Sequence, residues 1–123
     1  MGNPFVHIEL LSNDLEKAKG FYKDLFDWQY QEFPEMDYTI IEVGEGTGGG
    51  MMKNPVPDIP SHWLSYVQVD DIEASTQKAK SLGGQVVKEV TEVPGYGWLS
   101  VIVDPSGAAL GLWKPAEECA EEK

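Results

Sequence analysis

His7 and Glu9 are the two side chains in this chain best suited to chemistry. They lie two residues apart in FVHIELLS, where alternate positions form two faces of an extended strand, so both project from the same face. An imidazole moves protons near neutral pH, and a carboxylate beside it can orient or charge it. The pair suits acid/base work or the binding of a polar substrate. The plainer alternatives are a polar pocket residue for His7 and a solvating group on an open sheet face for Glu9. The sequence holds no HExxH, no pair of cysteines and no serine nucleophile elbow, which argues against hydrolase and redox-thiol chemistry. Gly44, Gly46 and Gly49 fit G-x-G-x-x-G, but a dinucleotide loop needs a helix next, and Met51, Met52, Pro55, Pro57 and Pro60 follow. That stretch reads as a hairpin, and His62, in the proline-rich run, reads as surface.

The elements that must position His7 and Glu9 follow from periodicity. Asn13 with Glu16 forms a capping-box pattern, and Leu15, Ala18, Tyr22 and Leu25 recur at helical spacing. Val6, Ile8 and Leu10 can pack on that helix, which leaves His7 and Glu9 pointing away from it. Strands are expected over 29–33 and 38–43, flanking the turn at 34–37, with a glycine hairpin over 44–50 and a short strand at Met51 and Met52. KNPVPDIPSH, residues 53–62, cannot continue a helix or a central strand and reads as a connector.

The plan then repeats. A strand over 63–69 precedes Asp70 and Glu73, a second capping box, and Ile72, Thr76, Ala79 and Leu82 trace a weaker stripe ended by Gly83-Gly84. Strands over 85–90, 98–103 and 109–113 follow, the last two joined by a type I turn at Asp104-Pro105-Ser106-Gly107. Subtracting the caps, 70 − 13 gives an offset of 57, at which Asp14 meets Asp71, Glu16 meets Glu73 and Leu25 meets Leu82. The expected fold is α+β, two tandem β-α-β-β-β modules of about 5–52 and 63–113 in a single domain over 1–115, with an acidic tail at 116–123. A helix covers one face of each sheet, and the uncovered faces are expected to form a shared cupped mixed sheet able to hold a small molecule.

Charge narrows the partners. The net charge is −12, from 21 acidic residues against nine lysines, and there is no arginine. Nucleic acid and anionic membrane surfaces would be repelled, and the bidentate fork that grips carboxylates or phosphates is missing. Solubility alone accounts for such acidity in most small proteins; a cationic ligand is the sharper reading. No apolar run approaches the roughly 20 residues that cross a bilayer, and no charged-then-apolar leader opens the chain, so a cytoplasmic protein is expected. The one cysteine, Cys119, lies in the tail, and no intrachain disulfide can form.

This plan, with FVHIELLSNDLEKAKGFYKDLFDW in front and VDDIEAS, LGG and DPSGAALGLW behind, resembles the vicinal oxygen chelate superfamily of glyoxalases, bleomycin-resistance proteins and extradiol dioxygenases. His7-Ile8-Glu9, Asp37-Tyr38, Gly49-Gly50-Met51-Met52 and Pro94-Gly95-Tyr96-Gly97 resemble its small relatives of lactoylglutathione lyase. The resemblance implies a homodimer and a divalent metal held by side chains from the first and last strand of each module. Those positions correspond to His7, Leu64, Met51 or Met52, and Gly111, so one expected ligand is present. Glu9 is a possible second donor on the same face and Glu42 a remote third, and the site is expected to be metal-free unless His7 and Glu9 find further ligands.

The candidate catalytic residues are therefore His7 and Glu9. The candidate ligand-binding residues are Glu42, Met52, Leu64, Tyr66, Gln68, Trp98, Gly111 and Trp113, with Tyr96 and Trp63 as further aromatic walls. The resemblance implies a glyoxalase-like protein binding a small molecule, acting as a metal-independent lyase or isomerase through His7 and Glu9. The alternatives are a non-catalytic binder of a cationic drug, similar to bleomycin-resistance proteins, and an interaction domain with a vestigial cup.

Overall fold

The computed structural model describes residues 2–55 and 58–116. Cys119 and the acidic tail from residue 117 lie outside the described residues. The chain forms two compact units, one of Val6–Ser65 and one in which the residues up to Phe5 join those from Tyr66 onward.

The first unit contains β1 (Phe5–Ser12), α1 (Leu15–Phe26), β2 (Gln29–Phe33), a short 3-10 turn (Pro34–Met36), β3 (Tyr38–Glu42) and β4 (Gly49–Lys53). Its strands lie in the order β2-β3-β4-β1, with β1 and β4 parallel and the other pairs antiparallel. β5 (His62–Gln68) leads into α2 (Ile72–Ser81), β6 (Gln85–Val93), β7 (Gly97–Val103) and β8 (Ala109–Pro115), in the order β5-β8-β7-β6, with β5 and β8 parallel. The fold is α+β, built from two β-α-β-β-β modules as expected. Among the described residues no helix is long and apolar enough to cross a membrane.

Each helix is started by a carboxylate. The Asp14 side chain accepts from the Lys17 amide, and that of Asp71 from the Ala74 amide. The caps therefore fall one residue later than the expected Asn13 and Asp70, in both modules alike, and 71 − 14 keeps the offset of 57. Asn13 is engaged elsewhere: its amide donates to Ser61 Oγ and its Nδ2 to the Ile59 carbonyl, while Asn54 Nδ2 donates to that same carbonyl at 2.8 Å. These bonds tie the described part of the proline-rich connector to the first unit, and the unit boundary falls inside β5, between Ser65 and Tyr66.

α1 packs Leu15, Ala18 and Tyr22 on Leu10, Ile41 and Met51. α2 contributes Ile72 to a core with Val69 and Leu112, and its Thr76 hydroxyl pairs with that of Ser100 at 2.9 Å, so both buried oxygens are satisfied. The fourth member of each expected stripe is outside the core, for Leu25 and Leu82 lie at the helix ends and are exposed.

β1 and β4 approach so closely at Ile8 and Gly49 that a Cβ at position 49 would meet the Ile8 carbonyl oxygen. That contact is backbone and cannot rotate away. Gly49→Ala is expected to destabilise the fold by about 1–3 kcal/mol, as overpacking of a tight contact does. A urea midpoint equal to the parent's would refute it.

Candidate functional site

Sheet register decides which side chains share a face. In the first unit Glu9 stands beside Gly50, and Gly50 beside Ile40. Leu10 and Met51, the next pair along, turn to α1. His7, Glu9, Tyr38, Ile40, Glu42, Gly50 and Met52 consequently belong to the face away from the helix. Glu9 is only 7% exposed there, and His7 is half-buried.

His7 is held by Tyr38, which is not among the candidate site residues. The Tyr38 phenol oxygen lies 2.8 Å from His7 Nε2, with the two rings stacked at 27°. Tyr38 reaches His7 by lying over Gly50, where a Cβ would strike its hydroxyl and ring. The alternation that puts Glu42 on this face also puts Tyr38 there, so the signal was present. The meeting of β3 and β1 was not, because β4 lies between them. Burial lowers the His7 pKa from its ordinary 6.5, since the half-buried ring is more easily kept neutral than charged.

In the second unit Tyr66 pairs with Gly111, and its ring occupies the space a Cβ at 111 would need. Tyr66 is the counterpart of Glu9 at the offset of 57, which makes Gly50 the counterpart of Gly111. This corrects the expected last-strand position in the first module from Met51 or Met52 to Gly50. Met51 is fully buried under α1, whereas Met52 is half-buried on the open face. The positions at which the resemblance implies metal ligands then correspond to His7, Gly50, Leu64 and Gly111. Two have no side chain, their space is taken by tyrosine rings, and Leu64 is buried hydrocarbon. Among the described residues no three His, Cys, Asp or Glu side chains are grouped to hold a metal ion. These residues do not fit a divalent ion.

The remaining candidates divide by face. Tyr66, Gln68, Gly111 and Trp113 lie on the side away from α2, with Gln68 beside Trp113, and Leu64 shares the parity of Tyr66. Trp98 is a correction: it packs on the α2 side against Val69, Ile72 and Leu112, with the Lys114 ammonium 4.7 Å from its ring. Trp63 is another, for it meets Tyr22 of α1 edge-on at 5.5 Å. Tyr96 lies exposed in the turn before β7, and Glu42 is exposed at the end of β3. A pocket of about 530 Å³ opens elsewhere, beside the first turn of α1, and Tyr38 lines it but His7 and Glu9 do not. Its Glu32 carboxylate is already engaged by Lys19 at 3.0 Å and by Thr39 at 2.9 Å, which holds its pKa down. The His7–Glu9 face, with a buried carboxylate and a neutral imidazole, is chemically the stronger candidate.

Comparison with known proteins agrees with this architecture. The profile of the Glyoxalase/Bleomycin resistance protein/Dioxygenase superfamily matches residues 5–112. CFP32 of Mycobacterium bovis, which carries the glyoxylase name, is 34% identical over 89% of this chain and 43% of its own length. The anthracycline biosynthesis protein DnrV of Streptomyces peucetius is 36% identical over 86% of this chain and 45% of its own. The chain thus spans less than half the length of these two relatives. Lactoylglutathione lyase of Haemophilus influenzae is 29% identical over 83% of this chain and 85% of its own. Among solved structures, methylmalonyl-CoA epimerase of Mycobacterium tuberculosis superposes with a TM-score of 0.67 at 17% identity, covering 95% of this chain and 91% of that one, which shows the shared fold.

The lowered His7 pKa has a sign in stability. Below 6.5 the unfolded chain takes up a proton at this ring more readily than the folded one, so stability falls as pH drops from 6.5 towards the folded value. The contribution of one such site is at most about 1.4 kcal/mol per pH unit. His7→Gln should lose less stability than the parent between pH 7.5 and 5.5, roughly the interval around an ordinary imidazole pKa. Parallel urea-unfolding curves for the two proteins would contradict this.

Proposed function

The chain belongs to the Glyoxalase/Bleomycin resistance protein/Dioxygenase superfamily, and from that premise we propose that it is a glyoxalase-like isomerase or lyase working without the family's metal. Its substrate is a small oxygenated molecule, bound on the face that carries His7 and Glu9. The observation that supports this reading is the burial of the Glu9 carboxylate to 7% exposure on the same strand face as the neutral, half-buried His7. A carboxylate in such a place is a candidate base, and a neutral imidazole can relay the proton. The names of CFP32 and of the Haemophilus lyase support glyoxalase-type chemistry, and the epimerase fold supports proton transfer at carbon. We place the protein in the cytoplasm, as a homodimer with a small molecule as its ligand and no nucleic-acid or membrane partner.

A second reading, a non-catalytic binder of a cationic small molecule, draws on the net charge of −12 and the absence of arginine.

The two readings separate on one probe. Dihydroxyacetone carries vicinal oxygens and an acidic C–H beside its carbonyl, and exchange of that hydrogen in D2O is read by proton NMR on chelator-treated protein. We expect exchange above the buffer rate, reduced by about a hundredfold or more in Glu9→Gln, as loss of a general base does. Exchange no faster than buffer, together with tighter binding of the amino analogue 1-amino-3-hydroxyacetone than of dihydroxyacetone, would favour the binder.

A further inference from the structure

We propose that Tyr38 is a catalytic residue of this site, its phenol donating a hydrogen bond to the carbonyl oxygen of an α-hydroxycarbonyl substrate, with Gly50 as the positioning residue that seats it. The inference rests on the isomerase reading above and names the group that would hold the charge developing on the substrate oxygen.

The geometry carries it. The Tyr38 phenol oxygen lies 2.8 Å from His7 Nε2, on the sheet face that also carries Glu9. The phenol reaches this point only because position 50 lacks a side chain: a Cβ there would occupy the space of the phenol oxygen and its ring edge. Gly50 is also the residue in register with Glu9, so the glycine that admits the phenol lies beside the candidate base. One missing side chain thus seats a hydrogen-bond donor beside the candidate base.

A hydrogen bond has one proton, which fixes the tautomer. For the phenol to donate to substrate, His7 must carry its proton on Nε2 and donate to the Tyr38 oxygen. The phenol O–H is then directed at the substrate oxygen in the complex. Glu9 takes the proton from the carbon beside the carbonyl, and the C–H electron pair becomes the C=C bond of an enediolate. The charge that appears on the former carbonyl oxygen is held by the Tyr38 O–H, itself supported by His7. Glu9 returns a proton to carbon, so no proton is gained or lost over the cycle.

The test uses Tyr38→Phe and Gly50→Ala beside Glu9→Gln in the dihydroxyacetone exchange assay. Gly50→Ala is informative because the atoms nearest its Cβ are the far end of the Tyr38 side chain, which can swing away, rather than backbone. Each of Tyr38→Phe and Gly50→Ala should lower kcat by about 100-fold or more with KM changed less than about threefold, as removal of an oxyanion donor does. The double variant should be no worse than Tyr38→Phe alone, since both changes remove one interaction. A nitrogen-15 NMR spectrum of the parent protein should show His7 protonated at Nε2. Retention of kcat within about threefold in Tyr38→Phe, or a His7 protonated only at Nδ1, would overturn the role of Tyr38 while the loss in Glu9→Gln left the isomerase reading standing. Absence of exchange in the parent protein would overturn both.

Discussion

The parallel pairing of β1 with β4 is the constraint on which the first unit depends. With side chains alternating about the strand, one register sends Leu10 and Met51 into the core under α1 and Glu9 and Gly50 to the opposite face. A slip of one residue would bury a carboxylate beneath the helix and turn the core methionine outward. The apolar cost of that exchange is what fixes the position of the polar pair. The close approach of Gly49 to the Ile8 carbonyl belongs to the same pairing, since only a residue without Cβ lets the strands meet there.

The second unit solves the same problem with different residues. β5 and β8 pair in parallel, Tyr66 takes the place of Glu9, and Gly111 that of Gly50. In both units an aromatic ring from a neighbouring strand lies in the space left by glycine, although β3, which carries Tyr38, runs antiparallel to β4 and β5, which carries Tyr66, runs parallel to β8. Each glycine creates a seat for a tyrosine ring in the space that a side chain would otherwise fill.

Electrostatics and burial act differently across the first unit. Around α1, exposed acids are balanced locally: Asp14 caps the helix, and Glu32 is held by Lys19 and Thr39. On the open face the polar groups are withdrawn from water, Glu9 nearly completely and His7 in part. A group buried in this way responds to its neighbours more than to solvent, which is the condition under which acid/base chemistry is tuned.

Local signals in the sequence determined the modules. The strand alternation, the helix starts, the 57-residue offset and the separation of His7 and Glu9 from the helix side are consequences of period and spacing, and they needed no partner strand. The caps shifted from Asn13 and Asp70 to Asp14 and Asp71 because two acceptors stood side by side in each case, and only the folded chain engages Asn13 with Ser61 and Ile59. Trp98 and Trp63 could be assigned to a face only once their strands were paired and packed against a helix. The contact of Tyr38 with His7 and the equivalence of Gly50 with Gly111 were decided by tertiary structure alone. They depend on which strands become neighbours and on space left by an absent side chain, and a sequence does not display an absence until something is seen to fill it.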